Sequence, residues 1–248
     1  MSSSDAALLR SLHHGEAPLV LPNAWDAASA RLVEAAGFPA VATGSAAVAA
    51  SLGYEDNERA PVDEMLAAAE RMCRAVSVPV TVDVEAGYGL APAELGTRLV
   101  AAGAAGCNLE DTDHGAGGLV DAELQATRLA ALREAGDLVV NARVDVFIRE
   151  WGEPEARVDE AVRRARLYVD AGADCVYPIW LVEEDAIAQL VDRAGAPVNV
   201  LYRPGAPSLR RLAELGVRRV SLGPGLHRAT EAATRSLLER MAAGDDPY

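Results

Sequence analysis

Acidic side chains follow short apolar stretches at several points of the sequence. The stretch VTVDVEAGYG places Asp83 and Glu85 two residues apart before its glycines, GCNLED leads to Glu110, and LGYEDNE contains Asp56. Carboxylates that a fold brings together need a cation or raised pKa values, and hard oxygen ligands of this kind suit Mg²⁺. We therefore predict that Asp83 and Glu85 hold Mg²⁺, directly or through water. The alternative is that the acids cap helices or pair with surface arginines.

An arginine interrupts the apolar stretch LVVNARVD. Burying Arg143 within a strand is costly unless its guanidinium meets an anion, and its planar fork suits a carboxylate or a phosphate. We predict that Arg143 contacts an anionic substrate. Asp145, two residues further on, is the alternative partner, in a purely structural ion pair.

Small polar residues follow another apolar stretch, in the sequence ATGSA. The hydroxyls of Thr43 and Ser45, with the backbone N–H groups of this turn around Gly44, form a candidate cradle for an anionic oxygen of the substrate. Residues of this kind are also ordinary in a turn. Trp25, at the end of PLVLPNAW, either lines the same pocket or packs over the end of the fold.

Short apolar stretches alternate with amphipathic segments along almost the whole chain. Segments such as EARVDEAVRRARLYVDAGA have helical spacing, and several end at a glycine, as expected of helices that finish in a left-handed residue. These glycines are Gly37, Gly103, Gly172 and Gly216. The predicted strands cover residues 18–25, 40–45, 79–87, 106–111, 138–145, 175–180, 198–202 and 219–224.

Eight strand–helix units predict an α/β fold of the (β/α)8 TIM-barrel type. The candidate residues then lie at the C-terminal ends of their strands, which share one mouth of the barrel. A doubly wound sheet would usually carry a glycine-rich phosphate fingerprint after its first strand, and LPNAWDAAS has none.

The chain has 248 residues, half of them hydrophobic, and a formal net charge of −14. We expect one domain over residues 1–248, with a lead-in helix in 1–17 and a last helix in 225–243, because α/β barrels reach this length. The negative charge argues against nucleic acid or an anionic membrane as a partner. No signal peptide or membrane span is evident, and three widely spaced cysteines suit a reducing compartment. We therefore expect a cytoplasmic protein.

The segments taken together resemble the isocitrate lyase / phosphoenolpyruvate mutase superfamily. The resemblance follows the order LPNAW, GYED, VDVEAGYG, NLED and NARVDVF and covers nearly the whole chain. It implies a Mg²⁺-dependent barrel that makes or breaks C–C or P–C bonds of small 2-oxo acids or related carboxylates through an enolate-like intermediate.

The resemblance also implies roles for individual residues. Asp83 resembles the direct metal ligand, and Arg143 the residue that holds one end of the substrate. The residues that resemble ligands of metal-bound waters are Asp56, Glu85 and Glu110. Those that resemble the loop around the substrate carboxylate are Thr43, Gly44 and Ser45.

One loop departs from the pattern of the lyases. Isocitrate and methylisocitrate lyases carry a K-[KR]-C-G-H loop after the ED pair, whereas this chain reads LEDTDHGAGGLVDAE. Without that cysteine we do not expect isocitrate lyase activity, and the lysine- and asparagine-bearing gate of the mutases is also absent. His114 lies in this loop, where it either transfers a proton or is a solvated histidine. With Arg143 and Glu110 it completes the catalytic candidates.

The leading hypothesis is a Mg²⁺-dependent carbon–carbon lyase or hydrolase that acts on a small 2-oxo or 2-hydroxy carboxylate. The alternatives are P–C bond chemistry on phosphonopyruvate-like substrates and a non-catalytic carboxylate-binding relative. The resemblance further implies a homodimer or homotetramer in which subunits exchange the C-terminal helix. The apolar face of that helix would serve equally well for packing within one subunit.

Overall fold

The computed structural model describes residues 3–248, in which helices and short strands alternate. The strands are β1 (Leu19–Leu21), β2 (Asn23–Ala24), β3 (Val41–Thr43), β4 (Val80–Asp83), β5 (Gly106–Glu110), β6 (Thr112–Asp113), β7 (Gly118–Leu119), β8 (Val139–Val144), β9 (Cys175–Pro178), β10 (Asn199–Leu201) and β11 (Arg219–Ser221). The helices are α1 (Ser3–Leu12), α2 (Ala27–Ala35), α3 (Ser45–Leu52), α4 (Val62–Ala75), α5 (Pro92–Ala102), α6 (Ala122–Glu134), α7 (Arg157–Asp170), α8 (Glu184–Arg193), α9 (Leu209–Glu214) and α10 (Gly225–Ala242). A short 3₁₀ turn, Pro154–Ala156, precedes α7.

The parallel strands form two sheets that follow one another around a ring. One sheet has the order β2-β3-β4-β5-β8-β9 and the other the order β1-β11-β10. Strands β1 and β2 are consecutive in the chain on either side of Pro22, and an isolated parallel bridge between Val176 and Val198 joins the other two ends. Counting β1 and β2 as one position gives eight strand positions. The predicted (β/α)8 barrel is confirmed, and each of the eight predicted strands is present.

The strands are buried almost throughout, which explains why they read as apolar stretches rather than alternating ones. In β8 five of the six residues are buried, and only Arg143 is partly accessible. Helices α2 to α9 cover the outside of the ring and bury apolar side chains against it, as α4 does with Met65, Leu66 and Met72. All four glycines predicted to end helices have positive φ angles, between 85° and 98°.

Helix α1 closes one end of the barrel. The side chain of Leu9 is fully buried in a cluster with Ala42, Ala105 and Val139. The predicted lead-in helix is therefore present over Ser3–Leu12, and its first two predicted residues lie outside the described part. Because α1 covers the N-terminal ends of the strands, the accessible mouth is at their C-terminal ends, where barrel enzymes hold their sites.

The last helix, α10, matches the predicted segment but packs loosely. None of its 18 residues is buried, and Leu237, Leu238 and Met241 are exposed. Within residues 3–248 no helix combines the length and apolar character that crossing a membrane requires.

Candidate active site

Asp83 ends strand β4 with one carboxylate oxygen bonded and the other free. Its backbone N–H donates to the hydroxyl of Thr43 at 2.9 Å, and its Oδ2 accepts the backbone N–H of Ser45 at 3.2 Å. Oδ1 is buried and has no hydrogen-bond partner. Burial raises the pKa of Asp83, against the lowering effect of the Arg143 charge. Buried carboxylate oxygens in folded proteins nearly always accept a hydrogen bond. The free Oδ1 of Asp83 is therefore suited to serve as a metal ligand.

Glu85 reaches the same region from just beyond the strand. Its backbone is left-handed, with φ of 47°. The predicted strand over residues 79–87 included Glu85, but the strand ends at Asp83 and a turn places the side chain of Glu85. Its Oε2 accepts the backbone N–H of Glu58 at 2.6 Å, and its Oε1 accepts the hydroxyl of Tyr88 at 3.0 Å. Burial, together with the nearby charges of Asp56 and Asp83, raises the pKa of Glu85 to about 8.

Asp56 lies in the loop between α3 and α4, and its Oδ1 is likewise buried without a partner. The next two residues, Asn57 and Glu58, both have positive φ angles. Such strain in residues other than glycine is held in place by surrounding contacts and collects at functional sites. Here the contacts are the N–H of Glu58 on Glu85 and the carboxylate of Glu58, which accepts the backbone N–H of Tyr88. These two hydrogen bonds therefore hold the loop against the carboxylates of the site.

Glu110 ends strand β5 and touches two cationic groups. Its Oε2 pairs with Nη1 of Arg143, and its Oε1 lies 2.7 Å from Nε2 of His114. At this distance the two groups form an ion pair when His114 is protonated. Burial raises the pKa of Glu110 to about 7, although Arg143 and His114 lower it, and the carboxylate of Glu110 raises the pKa of His114.

Arg143 lies between two acids. Its Nε and Nη2 donate to the two oxygens of Asp145 at 2.7 and 2.9 Å, and its Nη1 pairs with Glu110. Asp145, which the sequence analysis gave as the alternative partner of Arg143, therefore does pair with it. These three bonds use three of the five N–H groups of the guanidinium, which leaves two for a substrate.

A buried network behind β8 holds Asp145 in place. The backbone N–H of Asp145 donates to Oδ1 of Asp111 at 2.8 Å, and the hydroxyl of Thr112 donates to its carboxylate. The other oxygen of Asp111 accepts bonds from Arg164 at 3.0 Å and from the hydroxyl of Tyr168 at 2.6 Å. Helix α7, which carries both of these residues, thereby fixes the position of the Arg143 partner.

The segment that replaces the lyase loop is a hairpin and not an irregular loop. Strands β6 and β7 pair antiparallel, and between them the carboxylate of Asp113 accepts the backbone N–H groups of Gly115 and Ala116. His114 sits in this turn with 14% of its side chain exposed. It is thus a partly buried neighbour of Glu110, where the sequence left open a solvated loop histidine.

The turn after β3 brings its residues to the same mouth. Thr43 and Ser45 are buried and both bond to Asp83, so one of the N–H groups predicted to cradle the substrate is already used. Gly44 begins helix α3 with an extended backbone. Trp25 packs edge-on against the ring of His227 from α10, with ring centroids 4.9 Å apart, and so links the last helix to the barrel rim.

The sequence interpretation missed four residues of this region. Glu58 and Tyr88 bond to each other and to Glu85, and Arg149 donates from Nε to the hydroxyl of Thr112 at 3.1 Å. Asn23 donates to the carbonyl of Thr43 and accepts the N–H groups of Leu222 and Gly223. Tyr88 stands within the glycine-rich turn after Glu85, which was the available signal. Glu58 ends the acidic stretch LGYEDNE, which was quoted for Asp56 alone, and no sequence pattern pointed to Arg149.

The donor set agrees with a hard divalent cation. Asp83 and Asp56 each keep a buried oxygen free, and the charges of both raise the pKa of Glu85. Within residues 3–248 no three acidic, histidine or cysteine side chains are spaced as direct ligands of one ion. Mg²⁺ commonly binds proteins through one or two carboxylates and keeps several waters, so these residues fit such an ion.

The fold and its mouth together define a barrel enzyme with a carboxylate-rich centre. A family model described as phosphoenolpyruvate phosphomutase matches residues 9–242. The chain is 32% identical to an oxaloacetate decarboxylase of Bradyrhizobium sp. (strain BTAi1), over 95% of this chain and 83% of that protein. It is 30% identical to a 2-methylisocitrate lyase of Bacillus subtilis (strain 168), over 73% of this chain and 61% of that protein.

A crystal structure from Burkholderia cenocepacia J2315 matches with a TM-score of 0.91 and 41% sequence identity, over 95% of this chain and 99% of that one. The chain therefore belongs to the phosphoenolpyruvate phosphomutase family, within the isocitrate lyase / phosphoenolpyruvate mutase superfamily. It is an enzyme of that superfamily and not isocitrate lyase itself.

Proposed function

We propose that the protein is a Mg²⁺-dependent carbon–carbon bond lyase or hydrolase that acts on a small 2-oxo or 2-hydroxy carboxylate through an enolate-like intermediate. The observation that carries the proposal is the free, buried Oδ1 of Asp83, in a mouth that also holds Arg143. A relative that decarboxylates oxaloacetate and another that cleaves 2-methylisocitrate support C–C chemistry.

In this proposal Asp83 is the direct metal ligand, and Asp56, Glu85 and Glu110 bind the waters of the ion. Bound there, Mg²⁺ would supply positive charge that stabilises an oxygen becoming negative during bond cleavage. Asp83 is bonded to a protein donor through one carboxylate oxygen only, which orients the other oxygen toward the ion.

Side chains of the protein would bind the substrate and move the proton. The two unused N–H groups of Arg143 would bind the substrate anion, and the Thr43–Ser45 turn would bind its carboxylate. His114, beside Glu110, is the candidate for moving a proton, because an imidazole can both accept and donate a proton and this one lies at the mouth. Glu110 then acts by orienting His114 and Arg143 together.

The experiment incubates the protein and Mg²⁺ with a panel of 2-oxo and 2-hydroxy acids and detects released products by carbon NMR. We expect one acid to yield a cleaved product such as pyruvate or oxalate, and Asp83→Ala to abolish the release. Unchanged turnover in Asp83→Ala, or no turnover of any acid by the wild-type protein, contradicts the proposal.

The family match favours a second candidate, P–C bond chemistry on a phosphonopyruvate-like substrate. Phosphorus NMR with phosphonopyruvate separates the two, because P–C cleavage or rearrangement moves the phosphorus resonance whereas C–C cleavage of a carboxylate does not.

We further propose that the protein forms a homodimer or homotetramer through α10. An amphipathic helix normally buries its apolar stripe, and α10 buries none of its residues within the described chain. A cytoplasmic location is supported by the three free cysteines.

A further inference from the structure

Asn23 is a polar residue in the short strand β2, which follows Pro22 at the rim of the barrel. It is only 5% exposed, although asparagine is uncommon within strands. A buried amide is tolerated where its oxygen and its nitrogen both have hydrogen-bond partners. The partners of Asn23 therefore show which parts of the chain this residue joins.

The two ends of the Asn23 amide bond to different segments. Its Oδ1 accepts the backbone N–H groups of Leu222 and Gly223, both at 2.8 Å, and its Nδ2 donates to the carbonyl of Thr43 at 2.7 Å. Leu222 and Gly223 lie between β11 and α10. Exchanging the amide oxygen and nitrogen would set donors against N–H groups and an acceptor against a carbonyl, so the orientation of the amide is fixed.

The turn that this amide holds also contacts Asp83. The hydroxyl of Thr43 accepts the backbone N–H of Asp83, and the backbone N–H of Ser45 donates to the Asp83 carboxylate. The turn also lies against Gly223, since a Cβ atom added to Gly44 would be 3.7 Å from the carbonyl oxygen of Gly223. Hydrogen bonds and close contacts therefore connect the segment before α10 with the proposed metal ligand.

Helix α10 makes a second contact with the same part of the chain. The ring of His227, in the first turn of α10, packs edge-on against Trp25, two residues after Asn23. The backbone N–H of Trp25 is in turn bonded to the hydroxyl of Ser29 at 3.0 Å. Because none of the residues of α10 is buried, the docking of this helix depends on contacts of this kind at its N-terminal end.

We propose that Asn23 is a positioning residue that couples anion binding at the Thr43–Ser45 turn to the docking of α10 on the barrel. The inference rests on the proposed function, in which this turn binds the substrate carboxylate and Asp83 binds the ion. An anion that orders the turn also orders the carbonyl to which Asn23 donates, and through the amide it orders the segment before α10. Because coupling between two binding events is reciprocal, docking of α10 strengthens anion binding by the same factor.

The test is hydrogen–deuterium exchange of the whole protein in the presence of Mg²⁺, with and without oxalate, read by mass spectrometry. In the wild-type protein we expect oxalate to slow exchange in peptides over residues 222–227 about threefold or more, because local opening governs exchange at such a surface segment. Helix α8 is the internal reference, since the hydrogen bonds of Asn23 lead to other parts of the chain. Exchange in α8 should slow by less.

Two variants separate this coupling from a general loss of structure. Asn23→Leu keeps a similar volume without the amide, so it should bind oxalate about tenfold more weakly, the scale of a lost buried hydrogen bond. At saturating oxalate its exchange over residues 222–227 should no longer slow. Asn199→Leu is the matched control, because Asn199 is also buried and its amide pairs with Ser221 and not with the turn. It should bind oxalate and slow in exchange as the wild-type protein does.

The inference is overturned if the wild-type protein binds oxalate but exchange over residues 222–227 slows no more than in α8, a result that needs no variant. It is also overturned if Asn23→Leu retains the slowing, or if Asn199→Leu loses it to the same extent. In each of these cases oxalate binding with Mg²⁺ leaves the proposed function standing. If the wild-type protein does not bind oxalate, the proposed function falls and this inference falls with it.

Discussion

Arg143 binds Asp145 through two hydrogen bonds, from Nε to Oδ1 at 2.7 Å and from Nη2 to Oδ2 at 2.9 Å. Arg143 lies in strand β8, and Asp145 is the first residue after the end of that strand at Val144. Asp145 is itself fully buried and bonded to Thr112 and Asp111. The guanidinium is thus fixed in orientation before any substrate arrives, which lowers the ordering cost of binding.

This pairing predicts a large effect of Arg143→Lys. Lysine keeps the charge but cannot make the paired bonds to Asp145 or hold a planar fork toward the substrate. We expect kcat to fall by about 100-fold or more, the scale seen when one preorganised donor is lost, with the protein still folded. Arg157→Lys is the control, because Arg157 is half-buried at the start of α7 and bonds only to backbone carbonyls. Steady-state rates of the two variants, with thermal unfolding curves, check the prediction, and similar kcat losses in both would contradict it.

The acidic cluster predicts a pH-dependent response to Mg²⁺. The folded pKa values of Glu85 and Glu110, about 8 and about 7, are raised above the ordinary value of 4.5. Stability that these groups contribute at low pH is therefore lost as pH rises through about 4.5 to 8 in the metal-free protein. Mg²⁺ needs the ionised form, so the increase in Tm that it causes should be larger at pH 8.5 than at pH 6.

Thermal scans with and without Mg²⁺, at constant ionic strength set with NaCl, measure that response. A Tm increase of equal size at both pH values would show that the carboxylates do not exchange protons for the ion.

The network behind β8 predicts a stability cost for Tyr168→Phe. The hydroxyl of the buried Tyr168 donates to Asp111 at 2.6 Å and accepts from Arg164 at 3.1 Å. Its removal leaves a buried carboxylate one donor short, at a cost of about 1–3 kcal/mol. Urea unfolding should register this loss, whereas Tyr202→Phe, at a half-exposed tyrosine, should change the free energy of unfolding little. Equal effects of the two substitutions would argue against the network.

The uncovered face of α10 predicts an assembly. The mass measured by light scattering should be two or four times the 26.0 kDa of one chain. Leu238→Glu places a charge on the exposed apolar face and should yield monomers, whereas Glu239→Gln next to it should not. A monomeric wild-type protein would refute the proposed oligomer.

The fold could be predicted from the sequence because its signals are local. Apolar stretches of strand length alternate with helical periodicity, and a glycine such as Gly103, with φ of 98°, ends the helix where expected. The hairpin at residues 112–119 was missed, since its turn depends on Asp113 bonding to nearby N–H groups rather than on an apolar pattern.

The candidate site could be predicted only in part. Asp83 and Glu110 are at strand ends, so the barrel itself brings them to the mouth. Glu58 and Arg149 arrive through loops whose conformations depend on bonds to residues 27 and 37 positions away in the chain, on Glu85 and Thr112. Periodicity carries no information about such contacts, and positive φ angles at residues such as Glu58 and Tyr88 go against local preference.

The claim on which the account depends is that Asp83 and its neighbouring carboxylates hold a divalent cation beneath an organic anion. Isothermal titration of the metal-free protein with Mg²⁺, with and without oxalate, tests it most directly. We predict saturable uptake of one ion per chain, tighter with oxalate, and no uptake by Asp83→Asn, while Glu155→Gln at an exposed acid binds as the wild-type protein does. Absence of saturable Mg²⁺ binding in the wild-type protein, both with and without oxalate, would contradict the account.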